Sequence, residues 1–115
     1  MKRGTIVLTK FPFTDLGATK RRPAVVVSKT ESKKNDVIVA FITSAIPVSF
    51  STTDYLFDTA HKDFEHSGLK KKSVFKLDKL ATLNKHIFTG ELGELSTNTM
   101  KELNKKLRIA LDLEE

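Results

Sequence analysis

Apolar residues along most of the chain fall into short runs, and a helical stripe emerges only toward the C-terminus. "TIVLTKF" (5–11) is β-branched and bounded by Gly4 and Pro12, so it predicts a strand. "FTDLGATKRR" (13–22) is polar, carries one glycine and reads as a loop of a length that often serves function. In "PAVVVSK" (23–29) four consecutive apolar residues leave no polar face, the pattern of a buried strand. Pro23 suits its first position, where a missing N–H is tolerated. After a polar turn, "TESKKND" (30–36), the segment "VIVAFITSAI" (37–46) predicts a second fully apolar strand, which Pro47 stops from running on centrally.

The middle of the chain carries a weaker pattern. "STTDYLFD" reads as an edge strand, and "KDFEHSGLKKK" as a loop turning at Gly68. "SVFKLDKLATL" (73–83) alternates apolar and polar residues at strand period. "NKHIFTGELG" is a turn region leading into the helix, "LSTNTMKELNKKLRIALDL". There Ser96 is a suitable N-cap, and Leu95 and Met100 stand at the spacing of a hydrophobic staple. Met100, Leu103, Leu107, Ala110 and Leu111 form one stripe at helical spacing. The order is therefore several short strands and then one amphipathic helix, which suggests a mostly β, compact antiparallel barrel with α. No βαβ rhythm is present, so a dinucleotide-binding fold is excluded. A chain of 115 residues fits a single domain, 1–115, able to bury its own core.

Composition narrows the function classes. There is no cysteine, which removes disulfides, thiolate metal sites and cysteine nucleophiles, and agrees with an expected cytoplasmic location. No apolar run approaches the roughly 18 residues of a membrane span, and the N-terminal pattern is not that of a signal peptide. Lysine and arginine number 20 against 14 acids, a net charge of +6 that favours a polyanionic partner, nucleic acid first. The cations cluster at Lys2-Arg3, Lys20-Arg21-Arg22, Lys33-Lys34, Lys70-Lys71-Lys72 and Lys76-Lys79, while acids gather toward the C-terminus.

Candidate chemistry is sparse. His61 and His66, with Asp63 and Glu65 between them, fit no standard metal spacing, and no phosphate-cradling glycine loop or serine elbow occurs. No cofactor or metal is expected. Polar residues at strand ends remain. Arg22 stands at the mouth of an apolar strand, either lining a site or only snorkelling off the core. Thr43 and Ser44 interrupt an apolar run, and threonine is also simply a good strand former. Period two puts Lys76 and Asp78 on one face, as a plain ion pair or as an acid and base beside a phosphate. The lysine triplet 70–72 is a solvated turn or a phosphate track, and Phe11, Phe13 and Phe64 are base-stacking candidates or core.

Four blocks in order carry a resemblance. "RGTIVLTKFPFTDLGATKRRPAVVVS", "VIVAFITSAIP", "SGLKKKSVFKLDKLATLNK" and "LSTNTMKELNKKLRIALDL" are similar to the PemK/MazF-like toxins of bacterial type II toxin–antitoxin systems. The resemblance covers nearly the whole chain and is weakest over 48–66. It implies an SH3-like barrel with a C-terminal helix, assembled as a homodimer. It implies an endoribonuclease that cuts single-stranded RNA without a metal, by attack of the neighbouring 2′-hydroxyl to leave a cyclic phosphate. It also implies a cognate antitoxin whose acidic disordered tail lies across the RNA groove. Carried over by position, Arg22 contacts the scissile phosphate, Thr43 helps hold it and Asp78 is the general base. Lys76 stands where one branch has an arginine as general acid, a departure that keeps the charge and loses the bidentate fork. Ala81 likewise replaces a further arginine of some members. Lys20, Arg21, Ser44, Lys70, Lys71 and Lys72 are then expected along the RNA groove. The competing expectation is a non-catalytic module of the same fold, a gyrase poison or a degenerate nucleic-acid- or antitoxin-binding protein.

Overall fold

The computed structural model describes residues 1–10, 21–30 and 35–113. Its elements are β1 (Thr5–Thr9), β2 (Arg22–Val26), β3 (Asp36–Thr43), β4 (Asp54–Phe57), α1 (Phe64–Ser67), β5 (Ser73–Asn84), a 3-10 turn (Lys85–Ile87), β6 (Gly90–Glu94) and α2 (Thr97–Leu111). The strands form one antiparallel sheet in the order β4-β5-β3-β2-β1-β6. This six-stranded curled sheet with its C-terminal helix is the barrel-like fold expected from the strand pattern.

The unbroken apolar runs of β2 and β3 have a simple cause: apart from exposed Ile38, both faces of these strands carry buried or half-buried apolar residues. Val25, Val27, Ala40 and Ile42 pack in the main core with Ile6, Phe57, Phe75, Leu77 and the α2 residues Met100 and Leu103. Their neighbours Ala24, Val26, Val37 and Val39 join Val7 in a second cluster, against Phe41, Ala81, Leu83 and Phe88. Strand period two thus feeds two cores from one sequence run.

β4 and β6 are the two edges of the sheet. The short helix α1 follows β4 in the chain and packs against β6, so it bridges the edges. The approach is close enough to require glycine. A Cβ on Gly93 would lie 2.0 Å from the His66 carbonyl oxygen, and one on Gly68 would lie 2.1 Å from that of Leu92. Gly68 also caps α1 in the left-handed region, at φ 75°.

α2 begins as its sequence indicates. Ser96 Oγ accepts from the Thr99 N–H at 3.3 Å. Leu95 and Met100 are both buried in the main core, as the staple spacing requires. A second cap comes from the α1 region, where buried Asp63 accepts from the Ser96 N–H at 2.8 Å and the Thr99 hydroxyl at 2.5 Å. The stripe is core at Met100 and Leu103, half-buried at Leu107 and Ala110, and exposed at Leu111, where the helix end carries Ile109 and Leu113 exposed as well.

Three expectations are corrected. "TGELG" contains β6, an exposed edge strand whose glycines mask it in the sequence. "KDFEHSG" is not wholly loop, because it holds α1. β3 ends at Thr43 rather than at 46, since Ser44 turns the chain away from the sheet.

Candidate functional site

A cavity of about 410 Å³ opens at one end of the sheet. Its apolar lining comes from Leu8 of β1, Pro23 of β2, Ile42 of β3, Leu69 and the β6 residue Leu92. Arg21, Arg22, Ser44, Lys70, Lys71 and Ser73 also line it. Register explains the gathering: Leu8 pairs with Pro23 and Thr9 with Arg22, which brings the strand ends together. The lysine turn is held by its own hydrogen bonds. Ser67 Oγ donates to the Phe64 carbonyl at 2.6 Å and accepts from the Leu69 N–H at 3.1 Å, and Ser73 Oγ donates to the Lys71 carbonyl at 2.8 Å.

Arg22 is the distinctive member. It is half-buried, and its Nε is fully buried with no hydrogen-bond partner among the described residues. Leaving such a donor unmade costs about 1–3 kcal/mol, so the position favours a ligand able to accept from it. Arg21, Lys70 and Lys71 are exposed around it. Lys72 is exposed but does not line the cavity. Lys20, Phe11, Phe13 and Lys33-Lys34 lie outside the described residues.

Thr43 ends β3 beside Ser44, and its Oγ accepts from the Ala45 N–H at 3.1 Å. The hydroxyl therefore shapes the chain reversal and still holds a proton to donate.

Lys76 and Asp78 do not form the pair that period two suggests. Alternation breaks at a bulge: Ala40 pairs with Leu80 and the next residue, Phe41, with Lys76, so Leu77, Asp78 and Lys79 are extra on β5. Lys76 instead faces its β4 partner Asp54, Nζ to Oδ1 at 2.9 Å. Side-chain exposure is 21% for Lys76 and 2% for Asp54, so the pair is largely removed from water. Burial alone pushes the Asp54 carboxyl up, but Lys76 and the Ser51 N–H outweigh it and hold the group below the ordinary range. Asp78 is exposed in the bulge, and Lys79 Nζ stands 5.8 Å from the centre of the Phe41 ring. Of the remaining predicted residues, Thr43, Lys76 and Asp78 do not line the Arg22 cavity, although Thr43 adjoins the lining residue Ser44.

The histidines are likewise accounted for. His61 Nδ1 accepts from the Asp63 N–H and its Nε2 meets the Tyr55 hydroxyl, both at 3.0 Å, while His66 is exposed on α1. Phe64 packs on Phe57, ring centres 5.8 Å apart, so it belongs to the core. Asp54 and the apolar lining of the cavity went unmarked in the sequence, since only strand register reveals what stands opposite Lys76 or Pro23.

The chain was compared with known proteins. The family model described as PemK-like, MazF-like toxin of type II toxin–antitoxin system matches residues 2–111. No curated protein sequence matches the chain. Among solved structures, an endoribonuclease in complex with its cognate antitoxin from mycobacterial species superposes with a TM-score of 0.74 at 23% identity, covering 100% of this chain and 98% of its own. The Mycobacterium tuberculosis toxin MazF-mt6 gives 0.72 at 20% identity, covering 98% and 100%. A MazE–MazF structure from Deinococcus radiodurans gives 0.73 at 19% identity, covering 99% and 97%. At these identities the structures attest the shared fold.

Proposed function

The chain belongs to the PemK-like, MazF-like toxin family of type II toxin–antitoxin systems, and we propose on that premise that it is an endoribonuclease acting on single-stranded RNA. The observation that carries this reading is the buried Arg22 Nε, unpartnered among the described residues, at a cavity with an apolar lining and a cationic rim. A nucleobase suits the apolar residues, and the backbone phosphate suits Arg21, Arg22, Lys70 and Lys71. In this reading the substrate's own 2′-hydroxyl is the nucleophile. Its oxygen attacks the adjacent phosphorus, its proton passes to water in the open groove because Asp78 stands outside the Arg22 cavity, and the 5′-oxygen leaves with a proton, giving a 2′,3′-cyclic phosphate and a 5′-hydroxyl. Arg22 stabilises the charge that grows on the phosphate oxygens, and Thr43 adds a neutral donor. Lys76, whose ammonium is committed to Asp54, acts as a structural cation rather than the general acid, and the leaving oxygen takes its proton from solvent in the open groove. The reaction needs no metal.

The same reading includes a cytoplasmic homodimer and a cognate antitoxin. The end of α2 exposes Ile109, Leu111 and Leu113, and the region around β4 exposes Val48, Phe50 and Leu56, apolar surface suited to pairing. An acidic disordered antitoxin tail fits the cationic rim of the groove.

One observation favours a second reading. With Lys76 locked to Asp54, the fold can serve as a binding module that cuts nothing. Single-turnover incubation with an end-labelled RNA in EDTA decides between them. Cleavage to a cyclic-phosphate end is expected, and intact RNA bound at the groove would establish the module.

A further inference from the structure

A second cleft, of about 330 Å³, shares no lining residue with the Arg22 cavity. One wall is Tyr55, His61 and Lys62, and the other is the α2 face bearing Asn98, Lys101, Glu102 and Lys105. Helical spacing brings Asn98, Lys101 and Lys105 to one side of α2.

The hydrogen bonds around His61 determine where its proton lies. Nδ1 accepts from the Asp63 N–H, so the neutral ring carries its proton on Nε2. That proton is donated to the Tyr55 oxygen at 3.0 Å. The Tyr55 hydroxyl is thereby used as an acceptor, and its own O–H has no acceptor among the described residues. Burial, with Glu102 and Asp63 nearby, pushes the phenol up, so it keeps that proton. Three lysines line the cleft, opposed by Glu102, which pairs with Lys105 at an exposed 3.7 Å, and by the buried Asp63 carboxylate, which is engaged by the Ser96 N–H and the Thr99 hydroxyl.

We propose that this cleft binds a phosphate group, with the Tyr55 O–H and the Asn98 amide as donors and Lys62, Lys101 and Lys105 as countercharge. Donors converge from two walls, which suits a tetrahedral anion better than a flat carboxylate. The phosphate belongs either to a free nucleotide or to the backbone of a nucleic-acid strand. The site does not depend on the cleavage reaction.

Tyr55 is the only tyrosine, and the chain has no tryptophan, so intrinsic emission reports this cleft alone. The test titrates the full chain at constant ionic strength with inorganic phosphate, uridine 5′-monophosphate, an uncleavable oligodeoxynucleotide and an acidic peptide. A saturable change in tyrosine emission is expected with a phosphate probe. A stronger response to the monophosphate identifies a free nucleotide, and a stronger response to the oligonucleotide identifies a strand. The double variant Lys62→Ala/Lys101→Ala should weaken the affinity by about tenfold or more, the scale of a lost charge-assisted bond. Arg22→Ala should leave the affinity for inorganic phosphate and for the monophosphate unchanged. The proposal is overturned by no saturable response to any phosphate probe, by full affinity in the double lysine variant, by loss of the response to inorganic phosphate and the monophosphate in Arg22→Ala, or by a response to the acidic peptide alone.

Discussion

Arg22 and Lys76 are both half-buried cations on neighbouring parts of one sheet, yet their surroundings are opposite. Lys76 ends 2.9 Å from a buried carboxylate. Arg22 buries its Nε with no partner among the described residues. The Asp54 oxygen facing Lys76 has no hydrogen-bond partner among the described residues, so the ammonium is its charge compensation, and losing one member of such a pair leaves the other charged and stranded. An unpartnered buried donor is the reverse case: the folded protein gains nothing from it, and a ligand can. The difference teaches that cationic residues near a groove are not equivalent. One supports the sheet, and the other lacks a partner within the described protein.

The sharpest way to break this comparison is to remove Arg22. Arg22→Ala should lower the single-turnover RNA cleavage rate by roughly 10²–10³, the effect of losing one preorganised donor. Its far-ultraviolet dichroism and melting should stay close to the parent. Arg22→Lys should recover only part of the rate, because a point charge replaces a fork. Full-rate cleavage by folded Arg22→Ala would remove the arginine from the mechanism. Lys76 should respond oppositely. Lys76→Ala strands the buried Asp54 carboxylate and should destabilise the fold by about 3 kcal/mol, measured by urea unfolding. Lys76→Met combined with Asp54→Leu should recover most of that stability, since an apolar pair carries no stranded charge. If Lys76→Ala unfolds like the parent but cuts RNA far more slowly, Lys76 is chemical after all.

The two cations also mark how far the sequence could be read. Short apolar runs, an N-cap and a staple sufficed for β1, β2, β3, β5 and α2, because each signal is local. β6 was invisible, since Gly90 and Gly93 depress strand propensity, and Gly93 is there to admit α1. Arg22 stood out because a cation beside a buried strand is unusual. The partner of Lys76 is hidden from the sequence for a non-local reason. Period two holds only in an unbroken ladder, and the bulge after it carries Asp78 out of register. The partner Asp54 comes from β4, in the segment with the weakest pattern.

Acid should separate the supporting charges from the available one. Burial pushes Asp63 up, but bonds from Thr99 and Ser96 outweigh it and hold it below the ordinary range, as Lys76 and Ser51 do for Asp54. Carboxyls with depressed folded values stabilise fully above the unfolded value of about 4. That contribution is lost as pH falls through the folded values. Thermal unfolding should therefore be insensitive to these groups from pH 5 to 8, ranges far above either carboxyl, and the melting temperature should drop steeply below about pH 4. Asp63→Asn should cost about 2 kcal/mol at neutral pH and flatten the acid limb. An unchanged acid limb in that variant would mean the α2 cap does not depend on the charge.

Thr43 gives the smallest expected effect, and it probes the boundary between support and availability within one side chain. Its oxygen accepts from the Ala45 N–H, a structural duty, while its proton has no acceptor among the described residues. Thr43→Val keeps the shape but removes both functions, so its effect on the rate alone is ambiguous. It should cost about 1 kcal/mol of stability, the scale of one hydrogen bond. It should also slow cleavage about tenfold, the scale of a 1.4 kcal/mol interaction. Thr43→Ser keeps the hydroxyl and loses only a methyl group. If the proton is used in the reaction, Thr43→Ser should cut RNA at nearly the parent rate even where its stability drops. If Thr43→Val and Thr43→Ser lose stability differently but cleave alike, the hydroxyl only builds the turn, and the groove relies on Arg22 for its donor.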